Sequence, residues 1–154
     1  MALTQAEADT LLAMAKTFVD AAPLEFSHAQ PMDYERVLWS TDHREEFALN
    51  VERRGRTRAR LKYQTRARRI VVLARLELTG RRHRNPPEAP YKGGEWISET
   101  HLHLYREGFD DRIAYELADV EFWANRDMSN GLTAFEHFLQ FCGVESWPPI
   151  QTSI

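Results

Sequence analysis

The sequence predicts an α+β fold in which a single, mostly antiparallel sheet of four to six strands is flanked by an N-terminal and a C-terminal helix. Apolar residues recur at helical spacing near both ends of the chain, and between these ends they alternate with a period of two. The alternating runs follow one another at hairpin spacing, without the helical crossovers that parallel strands need. We expect one domain over residues 1–154, because this is an ordinary domain length.

The two helices are predicted from their periodicity and their ends. Thr4 and Glu7 form a capping-box pattern, apolar residues follow at helical spacing, and Pro23 cannot continue the helix, so the first helix is predicted over about residues 5–22. The second is predicted over about residues 131–142, where apolar residues line one face and Gly143 suits the C-terminal end.

The sheet is predicted over about residues 36–117. Its strand candidates are residues 36–40, 47–51, 54–63, 70–78, 100–106 and 113–117. Residues 70–78 are apolar at nearly every position, which is typical of a central strand covered on both sides. Residues 80–99 hold three prolines and three glycines and are predicted to form a long loop, a feature that is often functional.

Composition excludes several classes of protein. A single cysteine, Cys142, rules out an intramolecular disulfide and a cysteine-rich zinc module. No apolar run approaches the length of a membrane span, and the first residues lack the basic and apolar pattern of a secretory signal. We therefore expect a cytoplasmic protein that does not associate with a membrane.

The charges are distributed very unevenly along the chain. Residues 53–84 contain twelve arginines and Lys62 against one acid, Glu77, so this segment carries a net charge of +12. The remaining residues carry a net charge of −15, which together give the overall −3. Such a segment indicates a polyanionic partner.

Part of the basic segment is predicted to form a ladder of cationic side chains on one face of a strand, because side chains alternate between the two faces with a period of two. Its predicted nucleic-acid-binding residues are Arg54, Arg56, Arg58, Arg60, Lys62, Tyr63, Arg66 and Arg68. Arginine matches phosphate oxygens through two parallel hydrogen bonds, and a tyrosine ring can stack on an unpaired base. The ladder predicts binding to nucleic acid, RNA more than DNA, or to an acidic protein. A sheet face on which acids such as Glu45 and Glu52 neutralise the cations is the alternative.

Histidines supply the candidate chemistry. His101, His103 and Tyr105 are predicted to share a strand face, and His83 lies in the preceding loop. RNA cleavage needs a base, an acid and cations, and histidine can fill either proton role near neutral pH. We take these four residues as candidate catalytic groups that need no metal or other cofactor. Zinc bound by His101, His103 and His83 is one alternative, and histidines that merely lie on a polar surface are the other.

Several segments resemble a family of short prokaryotic proteins of unknown function. They are residues 75–80, His83 to Pro86, residues 101–111 and Ala114-Tyr115, together with similar terminal helices and residues 62–66. The resemblance draws attention to His83, Asn85, His101, His103, Tyr105, Glu107 and Asp111. The chain departs from the family pattern in the long loop, around residues 87–90, where the family has a shorter turn. Such proteins often belong to mobile-element, toxin–antitoxin or defence loci.

These observations predict a small cytoplasmic protein that interacts with nucleic acid, and most specifically a metal-independent endoribonuclease of the toxin–antitoxin type. A non-catalytic inhibitor or antitoxin-like binding protein from a mobile element or defence locus is the alternative. A third possibility is a homodimer in which the basic strand of one copy meets the acidic residues 107–121 of the other.

Overall fold

The computed structural model of the protein describes residues 2–54 and 60–154. Within these residues, the helices are α1 (Gln5–Ala13) and α2 (Gly131–Phe141), and a short 3-10 helix spans Leu117–Asp119. The strands are β1 (Lys16–Phe18), β2 (Leu24–Ser27), β3 (Met32–Ser40), β4 (Glu46–Arg53), β5 (Leu61–Ala67), β6 (Val71–Leu78), β7 (His83–Arg84), β8 (Trp96–Ile97), β9 (His101–Leu104), β10 (Ala114–Tyr115) and β11 (Ile150–Ser153). No helix in the described ranges is long and apolar enough to cross a membrane.

Seven strands form one antiparallel sheet in the order β1–β3–β4–β5–β6–β9–β10. Two small sheets accompany it: β2 pairs in parallel with β11, and β7 pairs with β8. The α+β class and the large antiparallel sheet are confirmed. The sheet has one strand more than the predicted four to six, because β1 adds to the edge formed by β3.

The first helix is shorter than predicted. It ends at Ala13 instead of near residue 22, and residues 16–18 form β1, which pairs with β3 from Lys16↔Ser40 to Phe18↔Leu38. The sheet therefore starts at residue 16 and not near residue 36. Pairing with a distant strand overrides a local helical pattern, since intrinsic helix propensities differ by only a fraction of a kcal/mol per residue, roughly 0–0.7.

Both helices pack on one side of the large sheet, where the main hydrophobic core lies. The ring of Tyr63 on β5 lies 5.0 Å from that of Phe135 and 6.1 Å from that of Phe138, both on α2. Helix α1 packs against β6, next to α2 in the same core. The opposite face of the sheet consequently carries the polar side chains of the central strands.

The segment predicted as a long loop, residues 80–99, contains β7 and β8 and is attached to the edge strand β10. The buried Asn85 makes this attachment, because its Nδ2 donates to the Ala114 carbonyl at 3.0 Å and its Oδ1 accepts from the Ala114 amide at 2.8 Å. The segment thus lies beside β9, on which two of the candidate histidines are located.

Candidate functional site

Strands β6 and β9 place three polar side chains together on the face opposite the helices. In the register of this pair, Glu77 lies across from His101, and Arg75 lies across from His103. Residues two apart on a strand point to the same side, so both histidines project toward Glu77. The face shared by His101 and His103 is the one that the alternation of residues 101–104 predicts.

Both imidazoles are buried and held in a defined orientation. His101 and His103 are 1% and 2% exposed. The Nδ1 of His101 lies 2.7 Å from the carbonyl oxygen of Ser98, and that of His103 lies 2.8 Å from the carbonyl oxygen of Asp111. A carbonyl only accepts hydrogen bonds, so each Nδ1 carries the proton, and in the neutral imidazole Nε2 has the free lone pair.

The two Nε2 atoms and one carboxylate oxygen converge on a single point. Nε2 of His101 lies 3.1 Å from Nε2 of His103. Oε2 of Glu77 lies 3.6 Å from the first and 3.3 Å from the second. These three atoms form the group of possible metal ligands that stands out among the described residues. Three electron pairs this close repel one another unless a cation or a proton lies between them.

Charged neighbours orient these donors. Nε of Arg75 lies 3.1 Å from Oε2 of Glu77, and its Nη1 lies 2.6 Å from Oδ2 of Asp111. The backbone carbonyl of Asp111 in turn accepts a hydrogen bond from Nδ1 of His103. Metal-binding histidines and carboxylates usually have such outer hydrogen-bond partners, which fix the ring orientation and the tautomer.

The electrostatic environment favours the protonation state that a metal ion needs. Burial lowers the pKa of His103, and together with the charge of Arg75 it outweighs the neighbouring Glu77, which acts to raise that pKa. For Glu77, burial alone would raise the pKa, but the positive charge of Arg75, whose Nε lies 3.1 Å from Oε2, opposes this effect and the pKa is lowered. Near neutral pH we therefore expect a neutral His103 beside an ionised Glu77.

His83 lies beside this cluster without contributing a donor to it. Its ring centroid is 4.8 Å from that of His103, in an edge-to-face arrangement. Its Nε2 donates to the backbone carbonyl of Arg112 at 2.8 Å. The third donor of the cluster is Glu77, and not His83 as the sequence-based metal alternative assumed.

Tyr105 does not share the histidine face as predicted. Strand β9 ends at Leu104, so the alternation does not extend to the next residue. The Tyr105 hydroxyl accepts from the amide of Leu3 at 2.9 Å and donates to its carbonyl at 2.7 Å. This buried side chain fastens the N-terminal segment to the core, which leaves its hydroxyl no role in proton transfer at the histidines.

The basic ladder is not one continuous strand. Strand β4 ends at Arg53 and β5 begins at Leu61, so Arg54 and Arg60 lie in the connection between them. Arg56 and Arg58 lie outside the described residues. Acids neutralise several of the other cations: Glu52 pairs with Arg54 at 2.5 Å and with Lys62 at 3.6 Å, Glu35 pairs with Arg66, and Glu45 pairs with Arg68 at 3.3 Å.

Tyr63 is unavailable for stacking on a base. It is fully buried on the helix side of β5, and its hydroxyl donates to the backbone carbonyl of Gly131 at 2.8 Å. The reason is the same alternation that defines the ladder, because Tyr63 follows Lys62 and so faces the opposite side of the sheet.

Glu77 is the site residue that the sequence analysis missed as a ligand. It appeared there only as the single acid of the basic segment. Arg75 and Glu77 are two polar residues at a spacing of two within the apolar run of residues 70–78. That spacing was the available signal that one face of this strand is polar.

A comparison with models of known protein families identifies the family of the chain. Residues 3–144 match the model of a family of unknown function, DUF6978. The chain belongs to the DUF6978 family. This confirms the resemblance to a family without an assigned activity, and the match includes Glu77 and both histidines. Neither the comparison with curated proteins nor that with solved structures gave a match.

Proposed function

We propose that the protein binds a divalent transition-metal ion, best Zn²⁺, through Oε2 of Glu77 and Nε2 of His101 and His103. The main observation that supports this proposal is the triangle formed by these three atoms, with sides of 3.1, 3.3 and 3.6 Å. Ligands about 2.0–2.1 Å from a tetrahedral zinc ion are about 3.3–3.4 Å apart. The donors therefore already have the spacing of a zinc site.

A shared proton explains the cluster less well. One proton between the two Nε2 atoms suits their separation of 3.1 Å. It leaves Glu77 at 3.3 and 3.6 Å from the imidazoles, too far for a strong hydrogen bond. A metal ion satisfies all three donors at once and removes the repulsion among them.

The donor set also favours a particular kind of metal site. Two imidazoles and a carboxylate suit Zn²⁺, and the same set with open positions is found in non-haem Fe²⁺ enzymes. Three protein ligands leave one position for water or substrate, as in catalytic zinc sites. The Glu77 side chain is 25% exposed and provides the access that the buried histidines do not. We therefore propose a catalytic type of site.

Metal titration of the chelator-treated protein tests this proposal. We expect calorimetry to show one Zn²⁺ per chain, and His103→Ala to weaken binding about 100-fold or more, because a ligand is lost. Glu77→Gln, which preserves size, should also weaken binding. His28→Ala is the matched control, since His28 is exposed and is not part of the cluster.

Two results would contradict the metal-binding proposal. If the folded wild-type protein takes up no zinc, or if His103→Ala and Glu77→Gln bind it as tightly as wild type, the proposal fails. Circular dichroism of each variant separates loss of a ligand from loss of the fold.

Interaction with nucleic acid is the second candidate, and the exposed Arg60 at one end of the sheet, which has no acidic partner among the described residues, supports it. Metal-independent cleavage by His101 and His103 has less support, because both imidazoles are buried with Nδ1 engaged. Cleavage of RNA by the protein in the presence of a chelator distinguishes a metal-dependent from a metal-independent reaction. Cleavage that persists under these conditions and is lost in His103→Ala would favour the metal-independent route.

An antitoxin-like role would instead require a protein partner that binds in a stoichiometric amount. Its affinity would be unchanged by substitution of His101 or His103.

A further inference from the structure

We propose that the cleft adjoining Glu77 binds a phosphate group of the substrate beside the metal ion. This inference rests on the metal-binding proposal and names the substrate class of the same site. The shared ligand chemistry is a phosphate group, supplied either by a nucleotide or by the backbone of a nucleic acid strand.

The cleft lies at the end of the sheet where β4, β5 and β6 meet their connecting segments. Its volume is about 250 Å³. The residues that matter are four cations and two carboxylates: Arg54, Arg60, Lys62, Arg81, Glu52 and Glu77. The excess of positive charge makes the cleft attractive to an anion.

Two of these cations remain available for a ligand. Glu52 holds Arg54 and Lys62, at 2.5 and 3.6 Å. Arg60 and Arg81 form no ion pair with any residue in the ranges 2–54 and 60–154, and both are exposed. Their planar guanidinium groups suit the bidentate recognition of phosphate oxygens.

Glu77 joins the cleft to the metal cluster. Its Oε2 faces the two imidazoles, whereas a Cβ placed on Gly80 would lie 3.2 Å from its Oε1. The absence of a side chain at Gly80 thus lets this backbone approach the carboxylate at the cleft wall. A phosphate held by Arg60 and Arg81 would lie against the carboxylate that binds the metal, and metal ions commonly polarise phosphoryl oxygens.

Binding of three probes tests the inference on zinc-loaded protein: inorganic phosphate, a 5′-mononucleotide and a single-stranded RNA oligonucleotide. We expect the double variant Arg60→Gln/Arg81→Gln to weaken binding at least about tenfold, because charge-assisted hydrogen bonds are lost. The matched control is Arg44→Gln/Arg69→Gln, which removes two exposed arginines at the opposite end of the sheet. Zinc affinity should change less than about twofold in both variants.

The probes distinguish the two sources of phosphate. Binding of all three indicates a site for a free nucleotide, whereas binding of the oligonucleotide alone indicates backbone phosphate. The inference is overturned if no probe binds, or if the Arg60/Arg81 variant binds as tightly as wild type. Zinc content is measured in the same samples. Failure to hold zinc defeats the metal proposal and this inference together, whereas bound zinc without phosphate binding defeats this inference alone.

Discussion

At the scale of single residues, His103 shows how burial and hydrogen bonding prepare a donor. Its ring is 2% exposed, and the carbonyl of Asp111 fixes its tautomer. Burial favours the neutral form, because a charged imidazole would lose its hydration. The burial of His103 therefore makes its protonation unfavourable in the folded state.

This predicts how the stability of the metal-free protein depends on pH. The pKa of His103 is lowered on folding, whereas an unfolded histidine titrates near about 6.5. Below that pH the unfolded chain binds a proton that the folded chain does not, so the free energy of unfolding falls as the pH decreases. The lowered pKa of Glu77 acts in the same direction at still lower pH, below about 4.5.

Urea denaturation in a chelator measures this dependence between about pH 7.5 and about pH 5.5. We expect His103→Gln to flatten the slope, and His28→Gln, at an exposed position, to retain it. Stability that stays constant or increases on acidification of the wild-type protein would contradict the assignment.

Residue-scale prediction from sequence succeeded for one property and failed for another. The shared face of His101 and His103 follows from strand alternation alone. The third donor depends on the register between β6 and β9, which pairs residues 24 apart in the case of Glu77 and His101. Local periodicity does not contain such a register, so His83 was the nearer choice in sequence.

At the scale of elements, Lys16 connects the ends of both helices to the sheet. This completely buried residue of β1 donates from Nζ to the carbonyls of Leu12 and Met14 at 2.9 Å each and of Cys142 at 2.6 Å. These carbonyls lie at the C-terminal ends of α1 and α2, where unpaired acceptors and the helix dipole favour a cation. Burial lowers the pKa of Lys16 to about 8.

We expect Lys16→Met to lower the free energy of unfolding by about 2–4 kcal/mol, because one buried and two part-buried carbonyls lose a charged donor. Urea denaturation near pH 7 measures the loss. Lys92→Met is the control, since the Lys92 ammonium makes a half-exposed ion pair with Asp119 at 3.7 Å and lies 5.7 Å from the ring centroid of Tyr91, and its loss should cost below about 1 kcal/mol. Equal effects of the two substitutions would mean that Lys16 does not tie the helices together.

The two helices differ in how far sequence could predict them. Helix α2 carries its own end signals: the Asn130 side chain caps it by accepting from the amides of Leu132 and Thr133, and Gly143 has a φ of 80° just after its end. Helix α1 has the predicted capping box at Thr4 and Glu7, but its end is decided by the pairing of β1 with β3. Non-local pairing is the part that a local pattern lacks.

At the scale of the whole molecule, the uneven charge distribution indicated a surface but not its detailed form. The antiparallel sheet folds the basic segment back on acidic strands, so that Glu35, Glu45 and Glu52 neutralise much of it. Among the described residues, Arg60 and Arg81 form no ion pair and line one cleft together with the Glu77 carboxylate. Part of the charge asymmetry of the sequence thus lies in a cleft next to the cluster of donors.

X-ray absorption spectroscopy of the zinc-loaded protein tests whether Glu77, His101 and His103 bind one metal ion together. We expect two imidazole nitrogens at about 2.0–2.1 Å and a carboxylate oxygen at about 2.0–2.2 Å from zinc. We also expect the imidazole scattering to fall from two rings to one in His103→Ala. A spectrum without imidazole scattering, with zinc surrounded only by solvent oxygens, would contradict the claim.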